Sequence, residues 1–308
     1  MIWLLLILLA LIAAPFVIEH RRKEMNDAAR GSATGQFVEL SQGVTHFAWH
    51  GPENGPVLIC VHGLTTPSFV WRGMTRALAK SGYRVLTYDL YGRGFSSRPK
   101  GEQDRQYFVN QLSELLAHEG VGDNLTLVGY SMGGAISTCF ATTYAERIHQ
   151  LILLAPAGMG VLTGGLIGFI KETPLIGDWI ALAFYPALLR RGIRAERDLP
   201  TSVPHVYDLQ LAELEYRRFV PSVLASLRGI LSEDLSRDHK ALAARGLPVL
   251  AIWGRDDNVI SPSSVGTLAE WNRDATHEVI EAAGHGLTYT HTDEVLRTMR
   301  NWMKPPTA

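Results

Sequence analysis

Cysteine is scarce in this chain, and neither sign of charge is in excess. Two cysteines among 308 residues, Cys60 and Cys139, cannot form a disulfide framework or a cysteine-rich metal site, and their apolar neighbours indicate inert core thiols. The 29 Lys and Arg residues balance 30 Asp and Glu residues, which leaves no positive field for binding nucleic acid. Wholesale disorder is excluded as well, because 46% of the residues are hydrophobic and only 19% are charged.

The hydrophobic residues are unevenly distributed, and the first 18 residues contain no charged side chain. This run, MIWLLLILLALIAAPFVI, is at the lower limit of what crosses a hydrocarbon core of about 30 Å. A cleaved signal peptide, an uncleaved anchor and a buried helix are the alternatives. No basic residue precedes the run and no clear A-x-A cleavage site is present, while a buried helix would rarely begin at Met1 without a polar face. The pattern favours an uncleaved, single-pass membrane anchor.

The stretch EHRRKEMNDAAR, residues 19–30, is favourable helix sequence. We expect it to continue the spanning helix until a glycine-rich segment ends it, so that residues 1–35 form a transmembrane and juxtamembrane helix. Arg21, Arg22 and Lys23 would then lie at the headgroups of a cell membrane of the bacterial inner-membrane type. The positive-inside rule places these charges and the body in the cytoplasm, but three charges are a weak signal and a periplasmic location stays open.

From Gln36 the chain alternates between short apolar runs and helical stretches. Residues 37–50 predict a hairpin around Gly43, and six further runs have the length of strands buried on both faces. These runs are PVLICVH, YRVLTYDL, NLTLVGY, HQLILLAP, LPVLAIWG and HEVIEAAG, at 56–62, 83–90, 124–130, 149–156, 247–254 and 277–284. The helical stretches are at 69–80, 104–119, 132–146, 262–272 and 292–303. The alternation predicts an α/β protein with a mainly parallel sheet and helices on both faces.

A G-x-S-x-G pattern occurs in GYSMGG, between the apolar run LTLV and the helical stretch AISTCFATTYAER. The bare pattern is common by chance, but a strand that precedes it and a helix that follows it are the context in which such a turn exposes a nucleophilic serine. Gly129 and Gly133 are required because side chains there would collide with neighbouring backbone. The helix N-terminus at Met132 offers N–H groups to a developing oxyanion. Ser131 is the candidate nucleophile, and the alternative is a glycine-rich turn without chemistry.

A serine hydroxyl is a poor nucleophile without a base and a group that orients the base. In this topology the partners follow in the order Ser, Asp or Glu, then His, each just after a strand. The run WGRDDNVI supplies Asp256 and Asp257 after one strand, and AAGHGLTYTH supplies His285 after the next. Among the other histidines, His62 is interpreted as structural and His291 as a helix-start or surface residue.

Five motifs in this order resemble those of the α/β-hydrolase superfamily over about residues 36–303. They are HGL at 62–64, DLYGRGFS at 89–96, GYSMGG at 129–134, WGRDD at 253–257 and GHG at 284–286. The resemblance implies an α/β-hydrolase fold in which Ser131 is the nucleophile, His285 the general base and then acid, and Asp257 the orienting carboxylate. The G-x-x-D spacing selects Asp257, with Asp256 as the alternative.

The resemblance also implies an oxyanion hole formed by the N–H groups of Leu64 and Met132. Asp89 is better explained as a residue that holds its own loop through Asx-type hydrogen bonds. The implied reaction is attack of Ser131 on an acyl carbonyl, departure of an alcohol that His285 protonates, and hydrolysis of the acyl-enzyme by water. This chemistry requires no metal and no organic cofactor.

Residues 158–240 interrupt the strand–helix alternation with helical, aromatic-rich sequence. We interpret this segment as a helical cap, or lid, inserted into a hydrolase core of residues 36–157 and 241–308. Its first half is strongly apolar and contains Phe169 and Trp179. In one interpretation this half forms an acyl-chain pocket or a surface that contacts the bilayer. In the other its helices only pack on the body, as apolar helices usually do. The anchor favours the first alternative, because a tethered enzyme with an apolar cap is placed to meet lipid esters.

The leading hypothesis is a membrane-anchored serine carboxylic ester hydrolase of class EC 3.1.1 that acts on phospholipid, lysophospholipid or monoacylglycerol. The chain resembles bacterial membrane-bound phospholipases A, lysophospholipases and monoacylglycerol lipases. In some of the membrane-bound phospholipases A and lysophospholipases the anchor and juxtamembrane helix pair two protomers, so the resemblance implies a possible homodimer in contact with membrane lipids.

Two alternatives stay open. Carbon–carbon bond hydrolases of aromatic degradation share the WGRDDNVI pattern and the Ser-Asp-His spacing, but they are usually soluble, which the anchor disfavours. A non-catalytic binding protein on a hydrolase fold is the second alternative. Such proteins typically lose a member of the triad, whereas this sequence retains Ser131, Asp257 and His285.

Overall fold

The computed structural model describes residues 1–160 and 165–304, and this part of the chain contains an eight-stranded sheet. Its strands are β1 (Gln36–Leu40), β2 (Gly43–His50), β3 (Val57–Val61), β4 (Arg84–Tyr88), β5 (Leu125–Tyr130), β6 (Ile148–Leu154), β7 (Val249–Gly254) and β8 (Thr276–Ile280). The spatial order is β1-β2-β4-β3-β5-β6-β7-β8. The β1–β2 and β2–β4 pairs are antiparallel and the other pairs are parallel. The predicted hairpin and mainly parallel sheet are confirmed.

Helices cover both faces of this sheet and fill the long segment between β6 and β7. In the described residues they are α1 (Ile2–His20), α2 (Asp27–Arg30), α3 (Arg72–Lys80), α4 (Arg105–His118), α5 (Met132–Thr143), α6 (Gly165–Glu172), α7 (Ile176–Glu196), α8 (Val206–Ala212), α9 (Phe219–Arg228), α10 (Ser236–Ala244), α11 (Ser263–Trp271), α12 (Leu287–Thr290) and α13 (Thr292–Trp302). Each helical stretch predicted outside the segment 158–240 contains one of these helices.

The apolar runs fold as doubly buried strands because successive side chains point to opposite faces of the sheet. In β3, Leu58 and Cys60 enter one core, whereas Ile59 and Val61 enter the other. The first core also contains side chains of α3 and α13, and the second contains side chains of α4 and α5. Both faces are therefore covered by helices, and the carboxyl ends of the parallel strands are where a sheet of this kind carries its functional loops.

The N-terminal segment differs from the prediction. In the described residues, α1 is the one helix long and apolar enough to cross a membrane, and most of its side chains are exposed. It ends at His20, so the prediction of a continuous helix through residue 30 is wrong. The Lys23 N–H donates to the Glu215 carbonyl at 3.0 Å, and the Arg217 N–H donates to the Lys23 carbonyl at 2.8 Å. This pairing of extended backbone with a distant segment replaces the helical hydrogen bonds.

The helices α6–α9 lie between β6 and β7 and share a small core of their own. It consists of Ala181, Leu214, Phe219, Val220, Val223 and Leu224. Leu64 of the body packs against this core, which brings α7 and α9 next to the turn that follows β3. Residues 161–164 of the predicted cap lie outside the described residues, and α10 packs on α5 and α11 of the body. The boundaries 158–240 stay a prediction.

Candidate active site

Ser131 lies on a sharp turn between β5 and α5. Its backbone has φ 53° and ψ −119°, a conformation that L-residues rarely adopt and that turns the side chain away from the strand. A Cβ on Gly129 would lie 2.4 Å from the Gly133 carbonyl oxygen, and a Cβ on Gly133 would lie 2.0 Å from the Val61 carbonyl oxygen. Only glycine fits at both positions, which is the physical reason for the G-x-S-x-G pattern here.

Two further side chains form a hydrogen-bonded chain with this serine. His285 follows β8, and its Nε2 lies 3.0 Å from Ser131 Oγ. Its Nδ1 lies 2.8 Å from Oδ2 of Asp257, which follows β7. Asp257 Oδ1 accepts the backbone N–H groups of Val259 at 2.7 Å and Ile260 at 2.8 Å. Because both carboxylate oxygens accept hydrogen bonds, the orientation of the carboxylate relative to the imidazole is fixed.

The charge of Asp257 is stabilised despite its burial. Burial acts to raise the pKa of this carboxyl group, but the hydrogen bond and charge of His285 and the two backbone N–H groups outweigh it, so the pKa is lowered. The adjacent Asp256 is exposed, and its backbone N–H donates to the Ala283 carbonyl at 2.9 Å. Of the two neighbouring carboxylates, Asp257 is the one that contacts His285.

The two residues proposed for an oxyanion hole flank the serine. Met132 is the first residue of α5, and a Cβ on Gly63 would lie 3.3 Å from the Ser131 Cβ, so the turn that carries Leu64 is adjacent to the serine. Within residues 1–160 and 165–304, neither the Leu64 nor the Met132 N–H donates to a backbone or side-chain acceptor. The arrangement can place two N–H donors on a developing oxyanion next to Ser131.

His62 supports this turn through a single tautomer. Its Nδ1 donates to the Gly63 carbonyl at 2.8 Å, and its Nε2 accepts the Leu90 N–H at 2.9 Å. Burial lowers its pKa to about 4. Both contacts require a neutral ring with the proton on Nδ1, in agreement with the structural role predicted for His62.

Asp89 holds the loop after β4. Its carboxylate accepts the Ser68 N–H at 2.8 Å and the Phe95 N–H at 3.0 Å, and it pairs with His46 Nδ1 at 2.7 Å. Burial opposes its charge, but the bond to His46 and the other contacts outweigh burial and lower the pKa. Asp89 is thus committed to its loop and to the turn that starts at Ser68.

Two residues near the candidate triad were missed by the sequence reasoning. The hydroxyl of Tyr130 donates to the His285 carbonyl at 3.0 Å, and the two rings lie 5.3 Å apart. Glu196, at the end of α7, is half-buried; burial raises its pKa, and its charge interacts with His285 and Asp257. The position of Tyr130 inside the motif could have indicated the first contact. No sequence signal indicates the second, because it depends on how α7 lies over the body.

The remaining histidines and cysteines of interest are placed away from this chemistry. His291 precedes α13, and its Nδ1 lies 3.0 Å from Thr290 Oγ1, as expected of a helix-start residue. Cys60 and Cys139 are buried and unpaired with each other. Within the described ranges no three His, Cys, Asp or Glu side chains are arranged to hold a metal ion.

Known proteins match most of this chain. The family model of the alpha/beta hydrolase fold matches residues 56–292. A 2-hydroxy-6-oxononadienedioate/2-hydroxy-6-oxononatrienedioate hydrolase of Burkholderia vietnamiensis is 29% identical over 287 residues, covering 89% of this chain and 96% of the relative. A pimeloyl-[acyl-carrier protein] methyl ester esterase of Aeromonas hydrophila is 31% identical, covering 81% of this chain and 96% of the relative.

Solved protein structures are also similar to this chain in fold. An esterase from Exiguobacterium antarcticum superimposes with a TM-score of 0.73 at 20% identity and covers 87% of this chain and 99% of its own. A membrane phospholipase A, described as a bacterial virulence factor, superimposes with a TM-score of 0.69 at 20% identity. That likeness covers 97% of this chain and 94% of the phospholipase.

Proposed function

Because this chain belongs to the α/β-hydrolase fold family, we propose that it is a membrane-anchored serine hydrolase that cleaves carboxylic esters of lipids. The observation that carries the proposal is the hydrogen-bonded chain from Ser131 through His285 to Asp257, with two backbone N–H groups beside the serine. The candidate substrates are phospholipid, lysophospholipid and monoacylglycerol.

The mechanism follows from the positions of these groups. His285 Nε2 takes the proton of Ser131 Oγ as the oxygen attacks the acyl carbonyl, and the charge of Asp257 stabilises the imidazolium that results. The N–H groups of Leu64 and Met132 bind the tetrahedral oxyanion. His285 then protonates the departing alcohol as the carbon–oxygen bond breaks. Water, deprotonated by His285, attacks the acyl-enzyme, and the free acid leaves while Ser131 regains its proton.

The membrane part of the proposal rests first on the length of α1. Its 19 residues rise about 1.5 Å each, or about 28 Å in total, which is close to the thickness of the hydrocarbon core. Arg21, Arg22 and Lys23 follow directly and would lie at the headgroups. The proposed location is a cell membrane of the bacterial inner-membrane type, with the body on either side.

A contact between α1 and α7 supports the choice of a lipid substrate. The indole Nε1 of Trp179 donates to the Ile12 carbonyl at 3.0 Å. Ile12 lies eight residues before His20, so this contact is about 12 Å deeper than the end of α1 if that helix spans the membrane. The start of α7 would then lie among acyl chains. The exposed side chains of α6 and α7 suit that environment, and they include Ile167, Phe169, Ile176, Phe184 and Leu188.

The comparisons are consistent with an anchored enzyme. The likeness to the membrane phospholipase A leaves only about 3% of this chain uncovered, fewer residues than α1 contains, so it extends into the N-terminal helix. The likeness to the Exiguobacterium esterase leaves 13% uncovered. Cleavage of a lipid ester next to the membrane is therefore the activity that we test first.

The decisive experiment uses the full-length protein in detergent and a fluorophosphonate probe, which labels activated serines. Wild type and Ser137→Ala, which removes a buried hydroxyl six residues along the chain, are expected to be labelled, whereas Ser131→Ala is not. The same proteins are then assayed with p-nitrophenyl butyrate, monoacylglycerol, lysophospholipid and diacyl phospholipid. Absence of Ser131-dependent labelling would refute the proposal, and absence of any labelling or turnover would favour a non-catalytic binding protein.

A carbon–carbon bond hydrolase is the second candidate function. It is favoured by the Burkholderia vietnamiensis relative, whose name describes hydrolysis of a 2-hydroxy-6-oxo dienedioate. A vinylogous diketone of that class is therefore included in the assay. Turnover of this compound, together with absence of ester turnover, would replace the ester hydrolase proposal by this one.

Pairing of two copies through the N-terminal helix is part of the proposal. Native mass spectrometry of the detergent-solubilised full chain and of a chain starting at residue 25 tests it. We expect a dimer only for the full chain. A full-length monomer at all concentrations, or a dimer of both chains, would refute this role of α1.

A further inference from the structure

Arg93 lies in the loop that follows β4 and is completely buried, although it carries a charge. Burial lowers its pKa to about 10, so the guanidinium stays protonated at neutral pH. Burial of an arginine has a large cost in free energy unless its N–H donors find acceptors, so the acceptors around Arg93 must compensate for that cost.

A guanidinium has five N–H donors in a planar fork, and all five are used in Arg93. Its acceptors are the Leu64 carbonyl for Nε at 3.1 Å, the Tyr91 carbonyl at 3.0 Å and Gln103 Oε1 at 2.7 Å for Nη1, and the Ser222 carbonyl at 3.2 Å and Ser226 Oγ at 2.8 Å for Nη2. None of these acceptors is a carboxylate. A lysine, with three donors on a single nitrogen, cannot reproduce the set.

The acceptors belong to two parts of the molecule that are far apart in sequence. Leu64 is in the turn that carries a candidate oxyanion donor, and Ser222 and Ser226 are in α9, between β6 and β7. The loop and the helix approach each other closely, because a Cβ on Gly92 would lie 2.5 Å from Ser222 Oγ. Arg93 bonds both parts at once.

We infer that Arg93 is a positioning residue that holds the Leu64 turn against α9 and thereby aims the Leu64 N–H at the oxyanion. The inference rests on the proposed serine hydrolase function. A small displacement of such a donor lowers the rate of the chemical step more than it changes substrate binding, because the donor meets its full charge only in the transition state.

Arg98 offers a matched control in the same loop. It is also buried, and its Nη2 donates to the Gly94 carbonyl at 3.2 Å and to Glu213 Oε2 at 3.0 Å. It therefore links the loop to the segment before α9 but makes no hydrogen bond to Leu64. Loss of Arg98 should weaken the fold without moving the oxyanion donor.

The test measures kcat, KM and Tm for wild type, Arg93→Ala, Arg93→Lys and Arg98→Ala with p-nitrophenyl butyrate, a small ester that does not depend on a membrane. We expect kcat of Arg93→Ala to fall about 10- to 100-fold, the effect of a misplaced oxyanion donor, with KM changed by less than about threefold. The kcat of Arg93→Lys should be as low as that of Arg93→Ala, and guanidinium at non-denaturing concentration should restore part of kcat in Arg93→Ala. The kcat of Arg98→Ala should equal that of wild type.

A Ser226→Ala variant keeps the test decisive if Arg93→Ala does not fold. It removes one acceptor on α9, and kcat should fall about two- to tenfold, the range of a single hydrogen bond, at unchanged KM. Unchanged kcat in a folded Arg93→Ala or Ser226→Ala, or equal losses in Arg93→Ala and Arg98→Ala without guanidinium rescue, would overturn the inference. If wild type itself shows no Ser131-dependent turnover, the proposed function fails instead.

Discussion

Replacement of Asp257 by Asn tests the candidate triad at the point where the structure is most explicit. Oδ1 of residue 257 accepts the N–H groups of Val259 and Ile260, so an asparagine keeps its carbonyl oxygen there and turns its NH₂ group toward His285 Nδ1. That NH₂ group donates, and Nδ1 must then accept. The ring proton moves to Nε2, which now donates to Ser131 Oγ and can no longer act as a base.

The expected loss is large because the tautomer is wrong rather than because the fold is damaged. The same replacement in a serine-protease triad lowers kcat by about 10⁴-fold, which corresponds to about 5.4 kcal/mol of barrier. We expect a loss of this size in kcat/KM for p-nitrophenyl butyrate. The measurement is made alongside a thermal melt, which should show a folded protein.

Asp256→Asn is the matched control, since Asp256 is adjacent and exposed, and the carboxylate bonded to His285 is that of Asp257. Its activity should stay within about twofold of wild type, as surface substitutions usually do. If Asp257→Asn keeps more than a tenth of the activity, or if Asp256→Asn loses as much as Asp257→Asn, the assignment of the carboxylate is wrong.

Three further predictions concern stability, each measured by thermal melts in detergent. Gly133→Ala puts a methyl group 2.0 Å from the Val61 carbonyl oxygen and should lower the free energy of unfolding by about 1–3 kcal/mol or more. Gly266→Ala, in an open position of α11, should raise the free energy of unfolding by about 0.5–1 kcal/mol. Equal effects of the two substitutions would contradict the packing argument. Glu19→Ala removes the carboxylate that accepts the Arg218 N–H and pairs with Arg22, and should lower the free energy of unfolding by about 1–3 kcal/mol. Glu24→Ala, at an exposed position that pairs with Arg217, should lower it by less. Equal losses would show that the contact between residues 19–24 and 215–218 is not stabilising. Burial lowers the pKa of His62 and of His239 to about 4, so both rings stay neutral in the folded protein, whereas the unfolded chain takes up protons at these histidines below about pH 6.5. The free energy of unfolding should therefore fall as the pH is lowered from 6.5 to 4, by up to about 2.7 kcal/mol per pH unit for the two histidines together. His239→Gln should halve this contribution. An unchanged slope in His239→Gln would contradict the burial argument.

Features with local causes follow from the sequence, whereas features with distant causes do not. The strands and the G-x-S-x-G turn were predictable because the sequence itself displays them, as apolar runs of strand length and as a short pattern with glycine on either side of the serine. A Cβ on Gly129 would meet the nearby Gly133 carbonyl, and a Cβ on Gly133 would meet the Val61 carbonyl on the neighbouring strand β3. The break of the N-terminal helix after His20 was not predictable, since it depends on backbone pairing of Lys23 with residues near Tyr216.

Sequence alone determined the candidates for the chemistry, Ser131, His285 and one of the adjacent carboxylates Asp256 and Asp257, since each follows an apolar run of strand length and a parallel sheet carries such loops at one edge. Only the tertiary structure decided how the rest of the chain surrounds them. Arg93 finds two of its acceptors on α9, about 130 residues later, and Glu196 reaches the triad from the end of α7. Such contacts join segments that share no local pattern, so they are fixed by packing, burial and the pairing of buried polar groups.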